Sequence, residues 1–323
     1  MYVLGIDIGG TKVAVGLVSS EGEVIGSKRM PTRAEEGPSR VIERFVELCR
    51  KSVAKAGVDW QDIHAVGVGC GGPLDPCRGL IQSPPNLPGW DNIPLVEQLQ
   101  GEFDIPVYLD NDANAAALGE HRFGAGRGVA NMVYMTVSTG VGGGVIADGR
   151  LLRGENGNAA ELGHLSVVWD GRPCLCGSRG CLEAYASGTA IAARAQELVL
   201  GHPESLLRTL VSSAEEITAK TVAQALEQGD PVAEELWQET TEILGAGVAN
   251  VISAFNPRLV VLGGGITNFG ARLFDPVRRI AKSRLMPSLA AVVDIVPAEL
   301  GDEVGVVGAA AVALERMAAP PKA

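Results

Sequence analysis

One histidine and three cysteines lie close together in the middle of the chain, at His164, Cys174, Cys176 and Cys181. One imidazole and three thiolates can form a closed tetrahedral zinc site, which leaves no coordination position for catalysis. The spacing is tighter than in ordinary zinc fingers, and a disulfide or buried free thiols are the alternatives. A disulfide between Cys174 and Cys176 would close a strained, very small loop. The spacing therefore favours a structural zinc ion.

Three glycine-rich segments each follow a predicted strand, at 7–12, 138–143 and 263–265. Backbone N–H groups at such turns can hold phosphate oxygens, and the missing Cβ lets a phosphate approach. One such loop alone is more typical of a simple hairpin, and none matches the P-loop or dinucleotide-binding pattern. Three together, with a strand-end carboxylate that could hold Mg²⁺ through water, favour nucleotide phosphate binding. The candidate residues are Asp7, Gly9, Gly10, Thr11, Lys12, Thr139, Gly140, Gly142, Gly264 and Gly265.

A further group of candidates is made of carboxylates and an amide. Asp112 follows a predicted buried strand and opens an alanine-rich helix. A carboxylate there could take a proton from a hydroxyl that attacks phosphorus. Capping of the helix by Asp110, Asn111 or Asp112 explains the pattern equally well, and the sequence leaves both interpretations open. Glu161 and Glu183 flank the zinc candidates. With Asn111 they suit a polyhydroxylated ligand, although each glutamate alone is more typical of a solvated surface.

The composition indicates a globular protein of about two domains. The chain has 323 residues, of which 46% are hydrophobic and 20% charged, and a domain takes roughly 150 residues. With 38 acidic and 27 basic residues, the net charge is -11. An acidic surface repels phosphate backbones, so we expect no nucleic-acid partner. The first ten residues lack the features of a signal peptide. The long uncharged run after Arg127 holds too many glycines and polar residues for a membrane span, so we expect a cytoplasmic protein.

Strands and helices alternate along the chain and must position these residues. The two strand pairs around the first two glycine segments share one pattern, which suggests a duplicated architecture. The alternation predicts an α/β fold with mixed sheets in two halves. The predicted strands are 2–8, 12–18, 23–30, 64–69, 106–109, 132–137, 143–147, 259–262 and 292–296, and the predicted helices are 39–56, 113–120, 189–200, 221–228, 232–255, one that follows 263–265 and ends near 285, and 303–317.

Several motifs resemble those of the ROK family, whose name stands for repressors, open reading frames and kinases. The run ELGH at 161–164, followed by CLCGSRGCLE at 174–183, resembles the family's zinc signature. DIGGTK at 7–12 resembles its nucleotide phosphate motif. GVGCGGPLD at 67–75 resembles a family stretch with the pattern GxGxPGxxD, with Gly71 in place of the proline. PNLPGW at 85–90 resembles a segment of the family's glucokinases. The resemblance covers the chain from residue 2 to the last helix.

The resemblance implies an actin-like ATPase (ribonuclease-H-like) α/β fold, with two domains around a cleft. We place these domains at 1–112 plus 308–323 and at 113–307. It also implies a hexokinase-type phosphotransferase that uses ATP and Mg²⁺ to phosphorylate the 6-hydroxyl of glucose or a related hexose. Asp112 is then the general base, and His164 contacts the sugar as well as the zinc ion. We expect a homodimer. The hexose-binding residues implied are Gly72, Asn86, Asn111, Asp112, Glu161, His164 and Glu183.

Two alternatives stay within the same family. The first is a kinase for N-acetylhexosamines or mannose, and the second is a sugar-responsive transcriptional regulator. Repressors of the family carry a helix-turn-helix before the kinase-like part. Here the kinase-like strand begins at Tyr2 and the chain is acidic, so we expect a kinase. Members that use polyphosphate generally lack this zinc cluster, which argues for ATP as the phosphoryl donor.

Overall fold

The computed structural model describes residues 1–318, and contacts between residues divide the chain into two compact units. The first unit comprises Met1–Tyr134, Gly144–Ala160 and the residues from Ala298 onward, and the second comprises Met135–Gly143 and Glu161–Pro297. These contact units do not coincide with the predicted domains at 1–112 plus 308–323 and at 113–307, and that division stays a prediction. Residues 319–323 of the first predicted domain lie outside the described residues.

Most of the predicted strands and helices are present, with ends that differ by a few residues. Six short elements were not predicted, namely the strands at Leu74–Asp75, Leu80–Ile81 and Arg150–Leu151 and the helices at Leu95–Phe103, Glu183–Ala186 and Pro287–Ala290. The strands are β1 (Tyr2–Ile8), β2 (Lys12–Ser19), β3 (Val24–Pro31), β4 (Ile63–Cys70), β5 (Leu74–Asp75), β6 (Leu80–Ile81), β7 (Val107–Asn111), β8 (Met132–Val137), β9 (Val141–Ala147), β10 (Arg150–Leu151), β11 (Leu259–Gly263) and β12 (Asp294–Pro297). The helices are α1 (Pro38–Ala56), α2 (Leu95–Phe103), α3 (Asp112–Phe123), α4 (Glu183–Ala186), α5 (Gly188–Leu198), α6 (Ala219–Glu227), α7 (Pro231–Phe255), α8 (Ala271–Ser283), α9 (Pro287–Ala290) and α10 (Val304–Ala318).

The two five-stranded sheets share one strand order, which is 3-2-1-4-5 when the strands of each sheet are numbered along the chain. It is β3-β2-β1-β4-β7 in the first sheet and β10-β9-β8-β11-β12 in the second. In the first sheet β1, β4 and β7 run parallel, while β2 and β3 form an antiparallel meander with β1. In the second sheet β11 and β12 are parallel and β9 and β10 antiparallel. The common order agrees with the duplicated architecture that the two similar strand pairs predict.

Side chains of β1 alternate between the two faces of the first sheet, as the two-residue period of a strand requires. Leu4 and Ile6 belong to the large apolar core that includes Phe45 of α1 and Leu99 of α2. Val3 belongs to a smaller core on α10. The first sheet is therefore covered by helices on both faces, which explains why β1, β2 and β4 are almost continuously apolar.

A row of three glycines crosses the first sheet beneath α10. Gly5 pairs with Gly16 of β2 on one side and with Gly67 of β4 on the other. A Cβ on Gly5 would overlap the carbonyl of Val306, and one on Gly67 would overlap the carbonyl of Ala309. The missing side chains let the helix backbone rest directly on the strands. This glycine row therefore sets the depth at which α10 lies on the sheet.

The second unit contains a long helix, α7, which packs against α4, α5, α6 and α8. It begins after Asp230, whose side chain accepts the Ala233 N–H, and ends at Asn256 in the left-handed conformation. Trp237 of α7 stacks on Phe269, with 4.0 Å between the ring centroids. Among the described residues, no helix combines the length and apolar character needed to cross a membrane.

We expect Gly67→Ala to destabilise the protein by about 3 kcal/mol or more, because the new methyl group meets helix backbone rather than a movable side chain. Gly101→Ala is the matched control. Gly101 lies within α2, and a Cβ there meets nothing within 4 Å. The control should stabilise by roughly 0.5–1 kcal/mol through helix propensity. Denaturant unfolding measures both changes, and equal stabilities of the two variants would contradict the proposed packing constraint.

Candidate active site

The junction between β7 and α3 decides which residue caps the helix. Asn111 is the N-cap, and its Oδ1 accepts the N–H groups of Ala113 at 2.9 Å and Asn114 at 3.3 Å. Because the side-chain oxygen is used in this way, the Nδ2 group remains as the donor of the amide. Nδ2 lies 3.6 Å from the position that a Cβ would take on Gly72. The capping function is thus supplied by the neighbour of Asp112.

Asp112 is the first residue of α3, and its side chain keeps a solvent-exposed edge. Its Oδ1 accepts the Ala113 N–H at 2.8 Å. Its Oδ2 lies 3.8 Å from the position that a Cβ would take on Gly71. The protein around the carboxylate disfavours its charged form and raises the pKa of Asp112, against the opposing effect of the Ala113 hydrogen bond. A carboxyl with a raised pKa is a stronger proton acceptor once ionised.

Asp110 is fully buried next to this junction and stabilises it through hydrogen bonds and an ion pair. Its Oδ1 accepts the Asn111 N–H at 2.9 Å and the Asn114 side-chain amide at 3.0 Å, and its Oδ2 pairs with Arg153 Nε at 2.8 Å. Arg153 also pairs with Glu315 of α10. A buried carboxylate requires such partners, because an uncompensated charge in the interior is costly. Asp110 is therefore a structural group.

The first glycine turn, at 9–11, is fixed by Thr32, which is fully buried. The Thr32 hydroxyl donates to Gly9 O at 2.6 Å, and its N–H donates to Thr11 O at 3.0 Å. Within the turn the Gly9 N–H donates to the carbonyl of Lys12. A Cβ on Gly10 would lie 2.8 Å from the Cβ of Asn86. Gly10 is therefore needed for the close approach of the Asn86 segment, which places two predicted groups of ligand-binding residues side by side.

Asp7 lies on the α10 face of β1. Its Oδ2 occupies the space that a Cβ would take on Gly305, in the first turn of α10. Burial raises the pKa of Asp7 to about 6, and the nearby Asp112 carboxylate adds to this rise, while Lys12 and Arg29 oppose it. Asp112 is therefore close enough for its charge to act on Asp7, and two neighbouring carboxylates favour binding of a cation.

The second glycine turn joins β8 to β9, and the structure brings Glu183 against it. The Val141 N–H donates to Glu183 Oε2 at 2.8 Å, and a Cβ on Gly140 would lie 2.5 Å from the same oxygen. The Thr139 carbonyl accepts the hydroxyl of Thr189 at 2.8 Å. The candidate Gly142 lies within β9, since this strand begins two residues earlier than the sequence predicts.

The third glycine segment follows β11. Gly264 has a φ of 86°, and a Cβ there would overlap the Val137 carbonyl. Its carbonyl accepts the hydroxyl of Thr267 at 2.7 Å. Gly265 begins a short 3₁₀ helix, and a Cβ there would meet nothing within 4 Å. Of these two glycines, only Gly264 is required by the conformation of the segment.

The four predicted zinc ligands converge, with their ligand atoms within 4.8 Å of one another. Cys176 Sγ lies 3.7 Å from Cys181 Sγ, and Cys174 Sγ lies 3.7 Å from His164 Nδ1. A tetrahedron with Zn–S bonds of about 2.3 Å has edges of about 3.7 Å, so these residues fit a zinc ion. His164 Nε2 lies 4.0 Å from Glu161 Oε2. The ring thus presents Nδ1 to the thiols and Nε2 to a carboxylate, a common arrangement around zinc-bound histidine.

The structure therefore groups the candidates into two sets, one in each unit. Four further residues belong to the candidate site because they bind or pack against residues of these sets or of the β7–α3 junction. The sequence gives no signal for these four, which are Thr32, Arg153, Gly305 and Glu315. The first set comprises Asp7, Gly9, Gly10, Thr11, Lys12, Gly72, Asn86, Asn111 and Asp112, and the second comprises Thr139, Gly140, Gly142, Glu161, His164, Cys174, Cys176, Cys181, Glu183, Gly264 and Gly265.

Comparison with known proteins identifies the family. The ROK family model matches residues 3–316. A glucokinase of Thermotoga maritima is 39% identical over 98% of this chain and 98% of its own length. A ROK family glucokinase of Streptomyces griseus, solved with glucose and AMPPNP, is 38% identical with a TM-score of 0.81, over 96% of this chain and 98% of that one. A ROK hexokinase of Thermus thermophilus is 36% identical with a TM-score of 0.83, over 99% and 100% of the two chains.

The chain belongs to the ROK family. Its two α/β units with mixed sheets have the actin-like ATPase fold, as the resemblance implied. Both predictions, of family and of fold, are confirmed.

We expect Asp7→Asn to raise the free energy of unfolding at pH 7.5. The folded-state pKa of about 6 exceeds the ordinary value of 3.8, so ionisation of Asp7 costs stability as the pH rises through this range. The advantage of the variant should shrink as the pH falls from about 7 to 4, where the folded-state carboxyl is protonated and the unfolded one has begun to be. Denaturant unfolding of both proteins across this range measures the effect. An advantage that stays constant with pH contradicts the raised pKa.

Proposed function

We propose that this protein is a hexokinase-type phosphotransferase that moves the terminal phosphoryl group of ATP to the 6-hydroxyl of glucose. Two findings support the reaction class. The relative from Thermotoga maritima is named a glucokinase, and the Streptomyces griseus structure holds glucose together with an ATP analogue. Within this chain, the carrying observation is the position of Asp112, a solvent-accessible carboxylate with a raised pKa at a helix start that another residue caps.

The proposed base is Asp112. Phosphoryl transfer requires an attacking hydroxyl that is aligned with the terminal phosphate and relieved of its proton as the new bond forms. The Ala113 N–H orients the carboxylate through Oδ1, so Oδ2 is the proposed proton acceptor. Asn111 presents its Nδ2 group to the hexose because its oxygen is engaged in the cap. Asp110 acts only through the position of Asn111.

The remaining roles are those expected from the sequence, by resemblance for the hexose ligands and from the glycine segments for the nucleotide ligands. Asp7 would hold Mg²⁺ through water, and Mg²⁺ when bound neutralises charge on the phosphates. We also propose a cytoplasmic homodimer that binds neither nucleic acid nor membranes. The proposed hexose ligands are Gly72, Asn86, Asn111, Asp112, Glu161, His164 and Glu183, and the proposed nucleotide ligands are Asp7, Gly9, Gly10, Thr11, Lys12, Thr139, Gly140, Gly142, Gly264 and Gly265.

The structural zinc ion is proposed at the four His and Cys ligands. The 3.7 Å separations match the edges of a zinc tetrahedron, and all four positions are taken by protein, as in structural sites. Zinc would pin the irregular loop from His164 to Cys181 and so fix the orientation of the His164 ring. Burial raises the pKa of Cys181 to about 12, and the ion would supply the charge that stabilises its thiolate.

The direct test of the proposed function is ADP release measured by a coupled assay over a panel of hexoses. We expect glucose to give the highest kcat/KM, with mannose and glucosamine weaker and N-acetylhexosamines poor. The reason is that the PNLPGW segment resembles that of glucokinases, and that a bulky N-acetyl group on the hexose would need a pocket of its own. A higher kcat/KM for N-acetylmannosamine or N-acetylglucosamine replaces this proposal with the N-acetylhexosamine kinase.

Asp112→Asn tests the base. Asparagine keeps the size and much of the hydrogen bonding of aspartate but accepts no proton, so kcat should fall by about 10²–10⁴-fold. Glucose affinity, measured by calorimetry, should change far less. Asp59→Asn, at an exposed aspartate outside the candidate residues, serves as the control and should keep full turnover. If Asp112→Asn turns over within tenfold of the parent, another group is the base.

Cys176→Ala tests the metal site. The variant should lose zinc and bind glucose more weakly, because the loop carries His164 and ends next to Glu183. Cys77→Ala is the matched control, since Cys77 is exposed and lies outside the cluster. Metal content and glucose affinity are measured on both purified proteins. A parent protein without zinc, or equal glucose affinity of the two variants, is the outcome against this role.

A further inference from the structure

The turn from Ser138 to Val141 is held by more contacts than a hairpin needs. The turn closes on itself through the Ser138 N–H, which donates to Gly140 O at 2.8 Å. The start of α5 adds two bonds, because the Gly188 N–H donates to Ser138 O at 2.7 Å and the Thr189 hydroxyl donates to Thr139 O at 2.8 Å. These three hydrogen bonds restrain the backbone of the turn at Ser138, Thr139 and Gly140.

Both ends of the loop that carries the zinc candidates meet one residue of this turn. Gly163, which precedes His164, lies so close to Val141 that a Cβ would overlap the Val141 carbonyl. Glu183, two residues after Cys181, accepts the Val141 N–H at 2.8 Å. The carbonyl and the amide of a single residue are thus contacted by the two flanks of the same loop.

The Val141 amide needs this carboxylate. Val141 is 4% exposed, and a buried N–H without a partner costs about as much as a lost hydrogen bond. Val141 is also the first residue of β9, so its amide sets where the turn ends and the strand begins. Without an acceptor at Glu183, the turn would have to shift to bring this N–H to another partner or to water.

We propose that Glu183 is a positioning residue for the nucleotide phosphates, because its Oε2 holds the second glycine turn in its phosphate-binding shape through the Val141 N–H. This inference rests on the proposed function, in which Thr139 and Gly140 contact the nucleotide. It adds a role to a residue otherwise expected only to contact the hexose. The hydrogen bond, rather than the charge, carries the effect, since a carboxylate beside a phosphate is by itself repulsive.

Glu183→Gln and Glu183→Ala separate the two roles. Glutamine keeps an oxygen that accepts the Val141 N–H and removes the charge, whereas alanine removes the acceptor. Calorimetry with AMPPNP and Mg²⁺, without any hexose, reports nucleotide binding alone. We expect the glutamine variant to bind within about threefold of the parent. The alanine variant should bind about tenfold more weakly or worse, as for the loss of a hydrogen bond to a charged group.

Leu175→Ala is the control from the same loop. Leu175 lies between two zinc candidates and is 98% exposed. The Leu175→Ala variant should therefore bind AMPPNP as tightly as the parent. Metal content and thermal unfolding are measured on every variant, and the glutamine variant keeps the test valid if the alanine variant does not fold. Equal affinity of the alanine and glutamine variants, or tighter binding by alanine, overturns the inference. A parent that binds no AMPPNP counts instead against the proposed function.

Discussion

The buried charge of Asp110 is the constraint on which the first unit depends. A carboxylate without solvent must find donors, and Asp110 finds two nearby, the backbone of Asn111 and the side chain of Asn114, and a distant one on Arg153. Arg153 in turn reaches Glu315 on α10. One ionic network therefore fixes the end of β7, the start of α3 and the last helix together. The result is that the strand-to-helix junction, with its solvent-facing carboxylate, has one geometry.

Much of the fold follows from local pattern. Buried strands such as β1 and β4 and the long helix α7 have strong periodicity, and their type was predicted correctly. The hairpin β5–β6 has two residues per strand, too few to show alternation. Helix α2 has nine residues and an internal Gly101, which lowers its helical propensity. Short elements like these are stabilised by tertiary packing that local sequence does not record.

The candidate residues were found where chemistry is local in sequence, as in the four metal ligands or the glycine segments. The choice among Asp110, Asn111 and Asp112 was open, because all three types cap helices well. The structure separates their roles through the local hydrogen bonds of the Asn111 cap and the distant ion pair of Asp110 with Arg153. Thr32, Arg153 and Glu315 could not be predicted, since each acts on a partner far away in the chain. The Glu183 contact with Val141 also joins positions whose relation the sequence does not reveal.

The glycine row under α10 also bears on how the protein is made. β1, β2 and β4 leave the ribosome early, but α10, the helix that packs on their glycine row, is synthesised only after all the other elements. Until then Val3, Ala14 and Ala65 have no apolar partner from that helix. N-terminal segments ordinarily fold first during synthesis, yet this sheet can be completed on only one face. The nascent chain must therefore keep an apolar sheet surface uncovered until the residues of α10 have been made.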